Sequence, residues 1–577
     1  MEYVLNDKQL VMNFSEKFCK TEIEVINSNC FADVWGKFID HLYKTENQAF
    51  LGVLNIFPKK KVKKATIDLL KHLLVFSVEE VKDQDPFFCQ ALEKQEVLYD
   101  LVQAFYDNWR RIERYAVIST KARMNSVESD AFIEAQTAFN NVVLKTYRTI
   151  CEKLYGAKFP IYRQLPAGVN AALLLSKNAW MGENSYYSFL SKSEAIEQIV
   201  IRPPFISYSA KNKRTGTYQE VFTNPCDAIK DKFKASEYYC YAAMVGSALT
   251  YVYFHRDYLA HGITICNLFE FVPLSEVKGK KPDCIYIFGC DIEGDSVFYH
   301  DKENQIYVGV APHNDSIDYF GYMKKMLLTL YNVSMIEQGN LPLHGACVHI
   351  TLRTGETKNI IIIGDSGAGK SESLEALSEM AGDNISAQLT VFDDMGTFKR
   401  MPNGEILAFG TEIGAFVRLD DMTSGYAYKE MDRAIFMNPD KVNSRLVIPV
   451  ATYPQIMLGY KPDMVLYANN YEQDVKPGQE VEFFDNVKDA EKDFIRGARF
   501  AKGTTQEIGL SETFFANPFG PVQRESMTRP LIDSYFSQLY NEGVKIGVLH
   551  TRLAVPGMEH EGPAKAAAQL FKILEHK

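Results

Sequence analysis

The sequence predicts an α/β protein with mixed α+β sheets: a helical N-terminal region, a mixed middle domain, and a C-terminal domain built around a strand, a glycine-rich turn and a helix. Three observations predict it. Through the first 155 residues apolar side chains recur at three-and-four spacing, as in "VLYDLVQAFYDNWRRIERYAVI" and "AFIEAQTAFNNVVLKTYRTICEKLY", the period of an amphipathic helix. Short apolar runs bounded by Pro, Gly and Asp follow, such as "EQIVIRPPFISYSA", "KPDCIYIFGCDI" and "NQIYVGVAP", which read as strands. Finally, "NIIIIGDSGAGKSESLEAL" passes from a buried-strand run through glycines into a helix start. The expected boundaries are 1–155, 156–318 and 319–577.

Taken in order, "FPKKKVKKATI" is a basic run expected on a solvated face. In the middle segment "ASEYYCYAAMVGSALTYVYF" is expected to form a buried helix. "GYMKKMLLTLYNVSMIEQG" predicts a helix stopped at Gly339. Beyond it strands and turns alternate, and "RESMTRPLIDSYFSQLYNEGVKIGVLHT" predicts helix, glycine stop and buried strand. No internal repeat or low-complexity tract interrupts the chain.

The totals narrow the classes of function. With 577 residues, 46% of them apolar and 24% charged, the chain has enough apolar material for at least two cores. A net charge of -10 argues against nucleic acid or an anionic membrane as the main partner. No run is long enough to span a bilayer, and "MEYVLNDKQLVMNFSEKF" lacks the basic start and apolar stretch of a secretion signal. Ten cysteines without a CxxC pair read as reduced thiols. The expectation is a cytoplasmic protein whose partners are a nucleotide and a small molecule, with the oligomeric state left open.

Gly364, Gly369, Lys370 and Ser371 satisfy the pattern G-x-x-x-x-G-K-[ST], with Asp365, Ser366, Gly367 and Ala368 between. Glycines at these positions let backbone N–H groups curl around phosphate oxygens at a helix N-terminus. Lys370 would reach the outer phosphates of a nucleotide, and Ser371 would ligate Mg²⁺. Such a loop needs a carboxylate on a neighbouring strand, and "LTVFDDMGTF" supplies Asp393 and Asp394. One could hold a divalent ion while the other holds it too, acts as base, or orients water.

Several stretches together resemble the phosphoenolpyruvate carboxykinases, more closely the ATP-type than the GTP-type enzymes. "YFGYMKKMLLTLYNVSMIEQGNLPLHGACVHI" is similar to that family's Y-x-G-E-M-K-K and L-P-x-H segments, and "IIIGDSGAGKSE" and "FDDMGTF" to its nucleotide loop and acidic motif. "VNSRLVIPVATYP" resembles its E-N-T-R-x-x-Y-P, and "ETFFANPFGP" with the helix and strand after it resembles its C-terminal block. The order holds over about two-fifths of the chain.

The resemblance implies a carboxykinase-like P-loop domain and the reaction of oxaloacetate with ATP to give phosphoenolpyruvate, ADP and CO₂. It implies a Mn²⁺ site on Lys325, His344 and Asp394, with Mg²⁺ on Ser371 and Asp393. Tyr319 and Lys324 match positions near substrate, Arg445 matches the arginine that neutralises the transferring phosphoryl group, and Glu430 matches a nucleotide-side glutamate. A weaker resemblance, to HPr kinase/phosphorylase, rests on His344-Gly345 and Ser371-Glu372.

The sequence departs from the carboxykinase pattern mostly on the substrate side. Asn224 stands where the family's carboxylate-gripping arginine is expected, leaving Arg202, Arg214 and Arg256 as candidates; Tyr322 and Met395 replace family glutamates. "DFIRGARFAKGTTQ" corresponds to the family's lid, with Gly497 and Gly503 as possible hinges or simply loop residues. These departures keep two other functions open: a kinase for a different small-molecule or protein hydroxyl, and a nucleotide-binding regulatory protein.

Overall fold

The computed structural model describes residues 2–119, 126–157, 167–177, 185–277, 279–381, 385–419, 431–501 and 509–575. The protein is mixed α/β with several mixed sheets. Among the described residues no helix is long and apolar enough to cross a membrane. The chain divides into two compact units: Met1–Lys177 with Ile196–Phe205, and Asn178–Ala195 with Ile206–Lys577. The segment 156–318 is therefore shared between them.

The first unit is helix-rich, as the periodicity predicts, but it is not only helical. Val34, Trp35, Phe38, Ile39 and Leu42 share one face of the helix Asn29–Lys44 and are buried. That helix is capped by the Ser28 side chain, which accepts from the Phe31 N–H. Trp35 donates to Thr66 Oγ1 at 2.9 Å, so its polar edge is satisfied inside the core. The helix Gln95–Arg111 ends where Ile112 turns extended (φ −71°, ψ 131°). "ERYAVIS" then forms the strand Glu113–Ser119, parallel to Gln9–Asn13 on one side and Ala171–Lys177 on the other. Reading this stretch as helix was wrong because a strand flanked on both sides is buried continuously and loses its alternation.

In the second unit the segment expected as a buried helix is a hairpin. Tyr238–Val245 pairs antiparallel with Ala248–His255. The aromatic and β-branched side chains that fill both strands favour a pleated surface, and Gly246 at φ 52° makes the turn. A Cβ on Gly246 would meet the Tyr331 ring at 2.5 Å, so only glycine fits. The strands Cys284–Cys290 and Ile306–Pro312 extend this sheet in parallel fashion.

A second sheet places the site. Leu341–Leu352 pairs antiparallel with Thr357–Ile363, which runs parallel to Met464–Asn469, itself parallel to Lys545–His550. Ile385–Phe392 and Met395–Arg400 both pair with Leu341–Leu352. The helix Phe320–Glu337 is buried almost all round, which explains its nearly continuous apolar sequence. Lys370–Ala381 packs through Leu374 and Leu377 against Ala566, Ala567 and Leu570 of Glu561–Glu575. The helix Glu525–Asn541, the left-handed Gly543 and the strand Lys545–His550 follow the predicted order.

Candidate active site

The strand Thr357–Ile363 delivers the chain into the glycine turn, and the helix Lys370–Ala381 takes it away. Gly367 (φ 78°) and Gly369 (φ 89°) adopt the left-handed backbone that curls the turn. A Cβ at Gly369 would stand 2.6 Å from the Thr551 side chain. Asp365 to Ser371 line a cavity of about 450 Å³ together with Tyr319, Lys325, His344, Asp393, Asp394 and Arg445. Gly364 contributes behind the lining: its carbonyl accepts from Lys370 Nζ at 2.8 Å, and the Asp365 carbonyl accepts from the same ammonium at 3.1 Å. Burial lowers Lys370 from its ordinary lysine value.

Asp394 is where three segments meet: its own turn, the helix Phe320–Glu337 and the strand Leu341–Leu352. Lys325 Nζ donates to its Oδ2 at 2.6 Å, Lys324 Nζ lies 2.6 Å from the same oxygen, and His344 Nε2 lies 3.0 Å from Oδ1. Burial alone would raise this carboxyl, but Lys324 and Lys325, then His344, hold it well below the usual range. Next to it, Asp393 accepts from the Ser371 hydroxyl at 2.9 Å, and burial raises its pKa. Two carboxylates on consecutive residues thus serve different partners at one cavity wall.

The two lysines differ in kind. Lys324 does not line the cavity: its ammonium sits behind Asp394, 2.9 Å from Glu412. Burial would lower it, but Asp394 and Glu412 outweigh that and hold it above its ordinary value. Lys325 does line the cavity, and burial brings it down to about 8 although Asp394 opposes the shift. Glu412 is pushed up to about 7 by burial against the pull of Lys324.

His344 Nδ1 faces the Ala516 carbonyl at 2.8 Å. A carbonyl only accepts, so Nδ1 carries the hydrogen and Nε2 is left facing Asp394. Burial lowers the pKa of His344 despite that neighbour, which disfavours a second ring proton. His344 Nε2 and the Lys324 and Lys325 ammoniums therefore converge on the two oxygens of Asp394.

The remaining expected residues fall as follows. Arg445 lines the cavity, donates to Asn443 Oδ1 at 2.8 Å and stacks on Phe416 at 5.1 Å. Tyr319 lines it from the start of the helix Phe320–Glu337. Glu430 and Gly503 lie outside the described residues. Gly497 is a packed helix stop: it caps Val487–Arg496 at φ 56°, and a Cβ there would meet the Thr513 carbonyl at 1.9 Å. Of the three arginines left open, only Arg214 lines the cavity; Arg202 donates to Thr137 and Arg256 to Glu237. Asn224 caps a short turn and donates to Tyr187.

Sequence reasoning missed Glu412, Arg418, Arg499 and Phe519. Arg418 stands directly opposite Arg445 on paired antiparallel strands, and both line the cavity. Arg499 donates to Asp365 Oδ2 at 2.8 Å. The Phe519 ring lies under both Arg214 (4.7 Å) and Lys325 (4.8 Å), a cation–π arrangement. Phe519 belongs to the "NPFGP" block and Arg499 to "DFIRGARFAKGTTQ", the two available signals; Glu412 and Arg418 have no local pattern. The lining holds Arg214, Lys325, Lys370, Arg418, Arg445 and Arg499 against Asp365, Glu372, Asp393 and Asp394. In a chain of net charge -10 the cavity thus carries a local basic excess, the sign that attracts anions.

No protein-family model matches the chain, and no curated protein matches it.

Proposed function

We propose that the chain transfers the terminal phosphoryl group of ATP in this cavity, with the carboxykinase reaction as the chemistry its side chains support best. One observation carries the reading. Asp394 meets Lys325 at 2.6 Å and His344 at 3.0 Å while Asp393 meets Ser371 at 2.9 Å, so two cation-binding groups stand on consecutive residues beside the glycine turn. The carboxykinase-like P-loop fold belongs to the same reading, since the resembling segments are those that line the cavity.

The donor sets fit the ions. Lys325 at about 8 can offer a neutral amine, His344 Nε2 a lone pair and Asp394 a carboxylate, a nitrogen and oxygen set suited to Mn²⁺. Ser371 and Asp393 offer the hydroxyl and carboxylate that suit Mg²⁺. A Mn²⁺ ion there would supply Lewis-acid stabilisation of charge on an acceptor oxygen.

The chain's own groups do the rest. The amides of residues 366–370 cradle the phosphates. Lys370 exchanges the Gly364 and Asp365 carbonyls for phosphate oxygens. Arg445 and Arg418 neutralise charge on the transferring group, and Arg214 takes the place of the missing arginine toward a substrate carboxylate. Lys324 acts through Asp394, fixing its charge and position from behind. When the C–C bond to the departing carboxylate of oxaloacetate breaks, its electron pair forms an enolate. The enolate oxygen attacks the γ-phosphorus, and ADP leaves.

A second reading is a kinase for another hydroxyl, favoured by Asp393, whose raised pKa suits a base. A coupled assay with oxaloacetate, ATP and Mn²⁺, run beside bare ATP hydrolysis, separates the two. Phosphoenolpyruvate formation is the expected result. Turnover only with a different acceptor selects the kinase, and nucleotide binding without any turnover removes both.

A further inference from the structure

Away from the cavity, His255, Asp257 and His313 bring three donor atoms within 4.8 Å of one another. Their assembly has a topological cause. The strands Ala248–His255, Cys284–Cys290 and Ile306–Pro312 lie side by side and parallel, with Cys284–Cys290 in the middle. His255 ends the first strand and His313 directly follows the last, so both stand at the carboxyl edge, where sheets of this kind collect ligands.

The middle strand would keep the two histidines apart, but it is built to let them meet. Its pairing shifts register between Phe288 and Cys290, and Gly289 there has φ 89°. A Cβ on Gly289 would stand 2.9 Å from His255 Cβ and 2.7 Å from the Tyr258 ring. With glycine in that place the imidazoles close edge to face at 4.6 Å across the end of the strand.

Asp257, on the short turn Arg256–Tyr258, completes the group. Its Oδ2 lies 3.0 Å from His313 Nε2 and 3.4 Å from His255 Nδ1. The backbone N–H of Asp257 donates to His255 Nδ1 at 3.2 Å, so that nitrogen carries a lone pair. The other ring nitrogen, Nε2, lies 3.7 Å from Glu237 Oε2, beyond hydrogen-bond distance, and the other oxygen of Glu237 accepts from Arg256. Three donor atoms thus converge, His255 Nδ1, Asp257 Oδ2 and His313 Nε2, and an ion bound among them would take the Nδ1 lone pair in place of the Asp257 N–H.

We propose that His255, Asp257 and His313 form a binding site for a divalent transition metal of the Zn²⁺ class, separate from the cavity trio. Two imidazoles and one carboxylate suit such an ion. Asp257 and His313 are 35% and 40% exposed at the side chain, which leaves room for water ligands and for entry of the ion. His313 also begins the segment that leads to Tyr319 and the helix Phe320–Glu337, so a bound ion would pin the approach to the helix carrying Lys325.

Co²⁺ titration of the full chain tests the site by its visible absorption and by the number of ions bound, comparing wild type, His313→Ala and His313→Cys. His313→Ala should bind one Co²⁺ fewer than wild type. His313→Cys should restore that ion and add a thiolate-to-cobalt charge-transfer band in the near ultraviolet. His313 is exposed, so both variants should keep the fold, and neither touches Lys325, His344 or Asp394. Equal uptake by all three proteins without a new band would reduce the cluster to a hydrogen-bonded histidine pair and overturn the proposal.

Discussion

Arg114 in the first unit and Lys324 in the second are both buried cations, and the contrast between them separates folding from chemistry. Arg114 donates to the carbonyls of Gly168, Trp109 and Ile112. Burial lowers it to about 10, and its principal partners are neutral backbone groups that the strand and the loops beside it would otherwise leave unsatisfied. Lys324 instead sits between two carboxylates, one of which faces a cavity and meets Lys325 and His344. A cation on neutral carbonyls closes a core. Cations and carboxylates gathered at a cavity wall store electrostatic energy where a charged ligand can use it.

The contrast is breakable by mutation. The largest effect belongs to Lys370→Ala, which should lower ATP-dependent turnover by roughly 10³-fold, as loss of a charge-stabilising donor does; nucleotide binding by calorimetry and steady-state rates would show it. Lys325→Ala should cost about 10²-fold in phosphoenolpyruvate formation through weakened Mn²⁺ binding, while ATP binding holds. Equal and mild effects of these two changes would dissolve the distinction between the proposed phosphate and metal sides of the cavity.

Arg114→Met should act oppositely. It orphans buried carbonyls and should cost about 2–3 kcal/mol of stability, read by denaturant unfolding, without altering Mn²⁺ affinity. A change in Mn²⁺ affinity would mean that the two buried cations are not different in kind.

The smallest effect is a pH dependence. Glu412 has its pKa raised from 4.5 to about 7 by burial, so between those values the folded state binds more protons than the unfolded one. Its contribution to stability is therefore full below about 4.5 and is lost as pH rises through about 7. Glu412→Gln should flatten this part of a melting temperature against pH curve. A variant that keeps the wild-type slope would assign the dependence to another group.

Much of this was legible from local pattern. The run "NIIII" before "GDSGAGKS" dictated a strand, a left-handed glycine turn and a helix start, because each step depends on φ/ψ freedom and side-chain branching within a few residues. The same holds for "GYMKKMLLTLYNVSMIEQG" and its stop at Gly339, which has φ 78°. Where burial is continuous the pattern misleads. "ERYAVIS" and "YYCYAAMV" lack a clean period because neither face of their strands meets water.

By itself, then, the sequence determined the glycine turn and most of the elements around it, since backbone conformation there is a local matter. Only the tertiary structure decided which charges meet. Glu412, Arg418, Arg499 and Arg214 join the cluster or its cavity from segments with no shared local motif. The protonation behaviour of Lys325 and Asp394 likewise exists only once Leu341–Leu352, Phe320–Glu337 and the acidic pair are packed together. Coulomb attraction and desolvation depend on distance and on the exclusion of water, and both are set by neighbours remote in the chain.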